Sequence, residues 1–378
     1  MNLLEQLRLH WMQIVFYIFA GITLIQVAYY LLLFRRLAFY KPSPKEQSQQ
    51  HPISVVVCAR DEAANLAQNL PGILVQTYPT THEVIVVNDN SVDETKYLLE
   101  ELKKTFKNLA PVNLSYEAKL IPGKKYPLSI GIKEAKHELV LLTDADCVPA
   151  SEFWMQKMQD GYRPGIEVVL GYGSYHKKPG LLNKIIRFET FHTALQYFSY
   201  ALAGSPYMGV GRNLSYTRGL FFKHKGFSSL NHVASGDDDL FVNMVATKDN
   251  TAIVLDPESF TLSEPKKSWA AWIRQKTRHY STGKFYRPKH KFFLGLYSFS
   301  HFLFYPLFIA SLFLYDWRIV TGVFLLRLLV QTWIMYKGME KLDEKDLWPW
   351  AWLFDIWMFC HYLIFAPALL KKPRKSWN

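Results

Sequence analysis

Two carboxylates at a two-residue spacing, Asp144 and Asp146 of Asp144-Ala145-Asp146, follow directly on the apolar run Leu139–Thr143 (LVLLT). At the end of a buried strand such a pair can share one divalent ion and face a diphosphate. Mg2+ or Mn2+ held there would neutralise a leaving nucleoside diphosphate. Two other apolar runs end in acidic residues: Ala59 leads into Arg60-Asp61-Glu62, and Val87 into Asn88-Asp89-Asn90-Ser91-Val92-Asp93. Carboxylates gathered on one edge repel unless a cation or hydrogen-bond donors compensate. The pattern therefore points to a hard-metal or nucleotide site. For Asp61 and Asp93 helix capping is the alternative, and for Asp93 both readings stay open.

The elements that must position these groups can be read from hydrophobic pattern. Ile53–Ala59 (ISVVVCA), Val84–Val87 and Leu139–Thr143 are nearly continuous apolar runs, as in strands buried on both faces. Val112–Tyr116 alternates like a strand. Helical spacing falls between them at Glu62–Gln76, Asp93–Phe106 and Leu128–Lys136. Strands alternating with helices predict an α/β domain with a parallel sheet, and in such sheets ligands bind at the C-terminal strand ends.

The chain has 378 residues, 49% hydrophobic and 20% charged, which excludes a disordered or collagen-like polypeptide. Aromatic residues reach 16%, as expected where rings sit at membrane interfaces. Cys58, Cys147 and Cys360 lie far apart with no CxxC spacing, against a disulfide scaffold or zinc ribbon. The net charge of +12 comes without a long basic block or nucleic-acid module, so it reads as facing a membrane or phosphate and not nucleic acid.

Trp11–Phe34 carries no charge over 24 residues, about 36 Å as a helix, and Arg35 and Arg36 follow as in an anchor whose downstream side is cytoplasmic. Phe292–Tyr315, Ile319–Tyr336 and Trp348–Leu370 are three further apolar stretches. Arg327 and Asp355 within them should face protein or a polar cavity and pair, the alternative being snorkelling or simple helix–helix contacts. Four crossings with a cytoplasmic central domain put both termini outside, whereas Lys371, Lys372, Arg374 and Lys375 favour the inside. Residues 41–51 read as a polar linker, and Leu181–Ala203 as an aromatic-rich helix lying in the membrane interface, with a core helix as the alternative.

The segments PISVVVCARDEAANL, VIVVNDNSVDET, GKKYPLSIGI, LVLLTDADCVP, GVGRNLSYTRGLF, SGDDDLF and QKTRHYSTGKFY, in this order over roughly residues 52–286, resemble glycosyltransferase family 2, the GT-A nucleotide-sugar transferases. The resemblance implies three parts: an N-terminal anchor and linker (1–51), a GT-A catalytic domain (52–290) and a C-terminal membrane region of about three segments (291–378). It implies that Asp61 and Asp89 contact the uridine of a UDP-sugar, that Lys124 lies near the diphosphate, and that Asp144 and Asp146 are the DxD pair, with Asp146 touching the metal. Asp237 would be the general base and Gly236 would stand where the family has Glu; a one-residue slip would make Asp238 the base. A helix N-terminus favoured by the dipole is the plainer account of the Asp run. Gln275, Arg278 and His279 match the family's QxxRW motif with His for Trp, and Arg278 would stabilise the leaving diphosphate. An exposed basic amphipathic helix, with Trp269, Trp272 and Ile273 as interfacial anchors, is the plainer account here.

A single base opposite the leaving group suits one inverting displacement. An interfacial Leu181–Ala203 helix would keep the active site near lipid headgroups, which points to a lipid acceptor, and the similarity to ceramide- and hopanoid-type glucosyltransferases supports this; the apolar segments point to a multi-pass protein of the cell (inner) membrane with a cytoplasmic catalytic domain. The alternatives are a processive oligosaccharide or polysaccharide synthase with a glycan acceptor and, in another class, a non-catalytic membrane scaffold that kept the fold.

Overall fold

The computed structural model describes residues 3–42, 50–115, 123–233 and 235–370. Most of the expected linker, Tyr116 and the basic tail Lys371, Lys372, Arg374 and Lys375 lie outside the described residues. The chain forms two compact units, one of Pro42–Tyr286 and one of Met1–Lys41 with Arg287–Leu370.

The first unit is built on a seven-stranded sheet in the order β3-β2-β1-β4-β8-β6-β9. Its strands are β1 (Ile53–Ala59), β2 (His82–Asn88), β3 (Leu109–Asn113), β4 (Leu139–Asp144), β6 (Val168–Leu170), β8 (Leu214–Thr217) and β9 (Thr251–Ile253). Every residue of β1 is buried, as its unbroken apolar run requires. Val55, Val57, Val84, Val86, Leu139 and Leu141 form one core with Leu66, Leu70 and Ile73 of the Ala63–Leu74 helix. Each such side chain, fully buried, contributes roughly 1.5–3 kcal/mol.

The sheet is mixed, not purely parallel. β1 to β4 run parallel, but β8 is antiparallel to both β4 and β6. A second sheet of three short strands joins β5 (Cys147–Pro149), β10 (Thr261–Ser263) and β7 (Gly173–Tyr175). The third strand of the main sheet also lies upstream of the expected Val112–Tyr116.

The Leu181–Leu202 helix is a core helix and not an interfacial one. Its buried residues include Ile185, Phe188, Phe191, Leu195 and Phe198, and also the polar Arg187, Glu189 and His192. A helix buried all round leaves no solvent-facing polar side, so its aromatic richness reflects packing. Glu189 is paired with Lys276 of the Trp269–Tyr280 helix, both side chains almost fully buried. On that second helix Trp272 is buried too, while Trp269 and Ile273 are exposed.

In the second unit His10–Ala38, Pro288–Leu314, Trp317–Lys341 and Lys345–Ala368 are helices long and apolar enough to cross a membrane. Arg327 and Asp355 pair as expected. The guanidinium grips both carboxylate oxygens, and Asp355 also accepts from Gln331 and Tyr305 and bonds His301 at 2.8 Å. Gln26 joins the cluster by accepting from Arg327 at 3.3 Å and donating to Ser300 at 2.6 Å. Arg327, Asp355, His301 and Gln331 are all buried, so charge within apolar helices is compensated inside the protein.

Candidate active site

Strand register brings the acidic residues together. Ala59 pairs with Asn88 and Cys58 with Asp144, so β1, β2 and β4 end on the same edge. The residues that follow, Asp61, Asp89 and Asp146, therefore emerge side by side. Asp61 takes φ 56°, a left-handed conformation that Asp tolerates better than most residues. Its Oδ1 accepts from Val92 N at 2.7 Å and its own N–H donates to Ser91 at 2.9 Å, tying the two loops together. Asp89 is buried, with its N–H on the Ala59 carbonyl at 2.8 Å. Asp93 is a cap. Its two carboxylate oxygens accept from Ala63 N and Thr95 N, both at 3.0 Å, which are the first residues of two helices. Burial opposes ionisation there, but these bonds hold its carboxyl below the usual range.

Asp144 forms an ion pair with Lys124. Burial would raise its pKa, but Lys124, then Arg212 and Arg278, hold it below the usual range. Asp146 is raised by burial and by the charge of Asp144, with Arg212 and Lys266 offsetting part of this. One ligand atom each of Asp144, Asp146 and Cys147 lie within 4.8 Å of one another. Burial and the two carboxylates push the Cys147 thiol up, and it contacts Ser263 Oγ at 2.9 Å, so it stays a neutral thiol. The two carboxylates fit a hard divalent ion, whose charge relieves their mutual repulsion.

The three consecutive carboxylates Asp237, Asp238 and Asp239 differ in what they bond. Asp238 Oδ1 accepts from Asp239 N at 2.7 Å, capping the Asp239–Val245 helix, and its Oδ2 accepts from Gly211 N at 2.8 Å. Burial, with Asp237 and Asp239 nearby, pushes it up to about 7. Asp239 accepts from Thr282 and Tyr286 at 2.5 and 2.8 Å. Both carboxylates are engaged in holding the chain. Among the described residues no hydrogen bond engages Asp237. Burial opposes the Lys124 ammonium, but the charges of Asp144 and then Asp237 keep its pKa above lysine's usual range. Gly236 stands where the preferred register of the resemblance would put Glu. Its φ is 93°, and a Cβ there would stand 2.5 Å from Leu240 Cδ1.

Gln275, Arg278 and His279 lie on the Trp269–Tyr280 helix. Arg278 is close enough for its charge to act on Asp144, while Gln275 Oε1 is buried without a hydrogen-bond partner among the described residues. His279 keeps part of its surface open to solvent. Crowding around the ring, together with Lys276, Arg278, Arg212 and Lys266, nevertheless holds it well below the usual range, so a neutral ring replaces the family's Trp. Sequence reasoning assigned no role to Arg212 or Lys125. Arg212 packs its guanidinium over Tyr175 at 4.3 Å, donates to Ser174 O and Ser263 Oγ at 3.2 Å, and so is held against the second sheet as a fixed cation whose charge acts on Asp144 and Asp146. Its signal was its place in GVGRN, at the start of the family segment GVGRNLSYTRGLF.

A family profile described as "Glycosyltransferase like family 2" matches residues 51–282. The chain belongs to glycosyltransferase family 2. Its α/β unit is a glycosyltransferase domain of the GT-A type. It is 30% identical over 157 residues to a poly-beta-1,6-N-acetyl-D-glucosamine synthase of Staphylococcus epidermidis, covering 41% of this chain and 36% of that protein. It is 31% identical over 101 residues to a beta-monoglucosyldiacylglycerol synthase of Nostoc, covering 26% of this chain and 21% of that protein. The matches thus span about a third or less of these relatives' own length. A mannosyltransferase from Pyrobaculum calidifontis, solved with GDP-Man and Mn2+, shares the fold with a TM-score of 0.58 at 18% identity, covering 92% of this chain and 99% of that one. Relatives of this glycosyltransferase thus include makers of a polysaccharide and of a glycolipid.

Proposed function

We propose that this glycosyltransferase moves a sugar from a nucleoside diphosphate sugar to a hydroxyl of a membrane lipid in one inverting displacement. One observation carries the reading. Lys124, ion-paired with Asp144 of the DxD pair, also lies within charge range of Asp237, a carboxylate with no hydrogen bond among the described residues. A proton acceptor and the diphosphate-facing groups thus share one cation.

In this reading Asp61 and Asp89 receive the nucleoside, with uridine the first base to test and guanosine the second. Asp144 and Asp146 hold a divalent ion, Mn2+ or Mg2+, which when bound supplies positive charge to the leaving diphosphate. Lys124, Arg212 and Arg278 add fixed cations around the same phosphates. Asp237 takes the proton from the acceptor hydroxyl as its oxygen attacks the anomeric carbon from the opposite side. Gln275, with its buried Oε1 unpartnered among the described residues, is placed to accept a hydrogen bond from donor or acceptor. The lipid acceptor is supported by the four membrane-length helices and by the similarity to a diacylglycerol-modifying relative.

The test is turnover in membranes bearing the protein, given UDP- and GDP-sugars with Mn2+ or Mg2+, with label sorted into lipid extract and insoluble polymer. Lipid label lost with EDTA and with Asp237→Asn supports the reading. Polymer label instead favours a synthase, the reading that the staphylococcal relative supports.

A further inference from the structure

Lys125 has no exposed surface. An ammonium so placed needs acceptors to replace its lost water. It finds them on the loop that leads to Asp237: Nζ donates to the carbonyls of Val233 and Ser235, the latter at 2.5 Å. Its neighbour Lys124 reaches instead to Asp144. Both lysines stand at the start of the Lys125–Glu134 helix, entered through Gly123 at φ 82°. That helix is pressed on the sheet at Gly131, where a Cβ would come within 2.5 Å of Val56 and 3.0 Å of Val87. Lys125 therefore reaches from a fixed platform. Asp237, Asp239 and Asp238 all act on its charge, partly offsetting the burial that lowers its pKa.

We propose that Lys125 is a positioning residue: it holds the backbone at Val233 and Ser235 so that Asp237 faces the donor, without touching the donor itself. Two adjacent lysines would thus divide the work, Lys124 on the diphosphate side and Lys125 behind the base. The inference rests on the reading of Asp237 as the base.

The experiment uses the full chain in detergent or nanodiscs, with UDP or GDP and Mn2+ as binding probes. Lys125→Met should lower kcat by roughly 10²-fold, the scale of a misplaced catalytic group. Its nucleotide Kd should stay within about twofold of wild type, since positioning acts on the reacting geometry and not on uniform binding. Lys124→Met should weaken nucleotide binding. Lys125→Arg, which keeps the charge and donors, should restore part of kcat. Hydrogen exchange over residues 235–240 should quicken in Lys125→Met. Should Lys125→Met not fold, Lys125→Gln, a shorter neutral donor, replaces it, with a smaller loss of kcat and the same unchanged nucleotide Kd expected. A wild-type kcat, or a loss of nucleotide affinity matching that of Lys124→Met, overturns the inference. If Asp237→Asn keeps turnover, the base reading itself fails. If Asp237→Asn is inactive while Lys125→Met is fully active, only the positioning role fails.

Discussion

Lys124–Asp144 in the α/β unit and Arg327–Asp355 in the apolar helical unit are the same chemical object, a cation beside a carboxylate. Their surroundings differ. The side chains of the first pair are 15% and 34% exposed, those of the second 1% and 4%. Asp355 receives Arg327 twice and also bonds Gln331, Tyr305 and His301, which fills the roughly four lone-pair sites of a carboxylate. Asp144 bonds Lys124 and has a second carboxylate, Asp146, beside it. A sealed and saturated carboxylate has no capacity left for a substrate. A partly exposed one with an oxygen left to accept has. Spare hydrogen-bonding capacity with access, rather than charge as such, separates the reactive region from the structural one.

The sharpest way to break this contrast is to neutralise a carboxylate at the open site. Asp146→Asn should lower turnover by roughly 10³-fold, because charge supplied by a divalent ion at a leaving diphosphate is worth several kcal/mol. Folding should be little affected, and nucleotide binding should lose its dependence on Mn2+ or Mg2+. Nucleoside diphosphate release and calorimetric nucleotide binding, each with and without EDTA, check this. A variant that turns over normally would remove Asp146 from the metal site.

At the sealed site the expectation is reversed. Arg327→Met should destabilise the protein by about 3–5 kcal/mol, since it leaves Asp355 buried without its cation. The double variant Arg327→Met/Asp355→Leu should recover most of that loss, and turnover per folded molecule should stay near wild type in both. Thermal melts in detergent alongside kcat per folded enzyme decide it. A double variant that is stable yet inactive would show that this cluster takes part in the reaction, and the contrast would fail.

A smaller effect tests the base loop. Gly236→Glu restores the residue that the family pattern has, yet φ 93° and the nearness of Leu240 predict a loss of about 1–3 kcal/mol and lower kcat. A stable, more active variant would mean that the loop relaxes to a different conformation when the donor binds.

The same contrast explains what could be read in advance. β1 was legible to the residue, and β2 and β4 nearly so, because strands buried on both faces are unbroken β-branched runs. β3 was displaced: it sits at the sheet edge, is only partly buried and contains Pro111, so no alternation marks it. β5, β6, β7, β9 and β10 have three residues each, too short for any period. The Leu181–Leu202 helix misled because aromatic residues serve a protein core as well as a membrane surface. Its deciding partner, Lys276 for Glu189, lies far along the chain. Within the site, the carboxylates at strand ends were legible because strand register alone gathers them. The roles of Lys125 and Arg212 were not, since both depend on which backbone carbonyls a loop brings to a cation.

Asp93 offers the mildest test, because it lies among the carboxylates at the strand ends yet belongs to the structural kind. Both its oxygens are occupied by the first N–H groups of two helices. Asp93→Ala should therefore cost about 0.5–2 kcal/mol, the range for a lost cap, and leave the nucleotide Kd unchanged. The pH dependence has a definite sign. The folded-state pKa is depressed below the usual 3.8, so the cap's ionic contribution is present above that value and fades as pH falls through the lower, folded one. The stability gap between wild type and Asp93→Ala should accordingly be constant from neutral pH down to about pH 5, and narrow in more acid solution. Urea melts across that range measure it. A gap that widens on acidification, or a nucleotide Kd that rises in step with the lost stability, would move Asp93 from the capping group to the ligand-binding one.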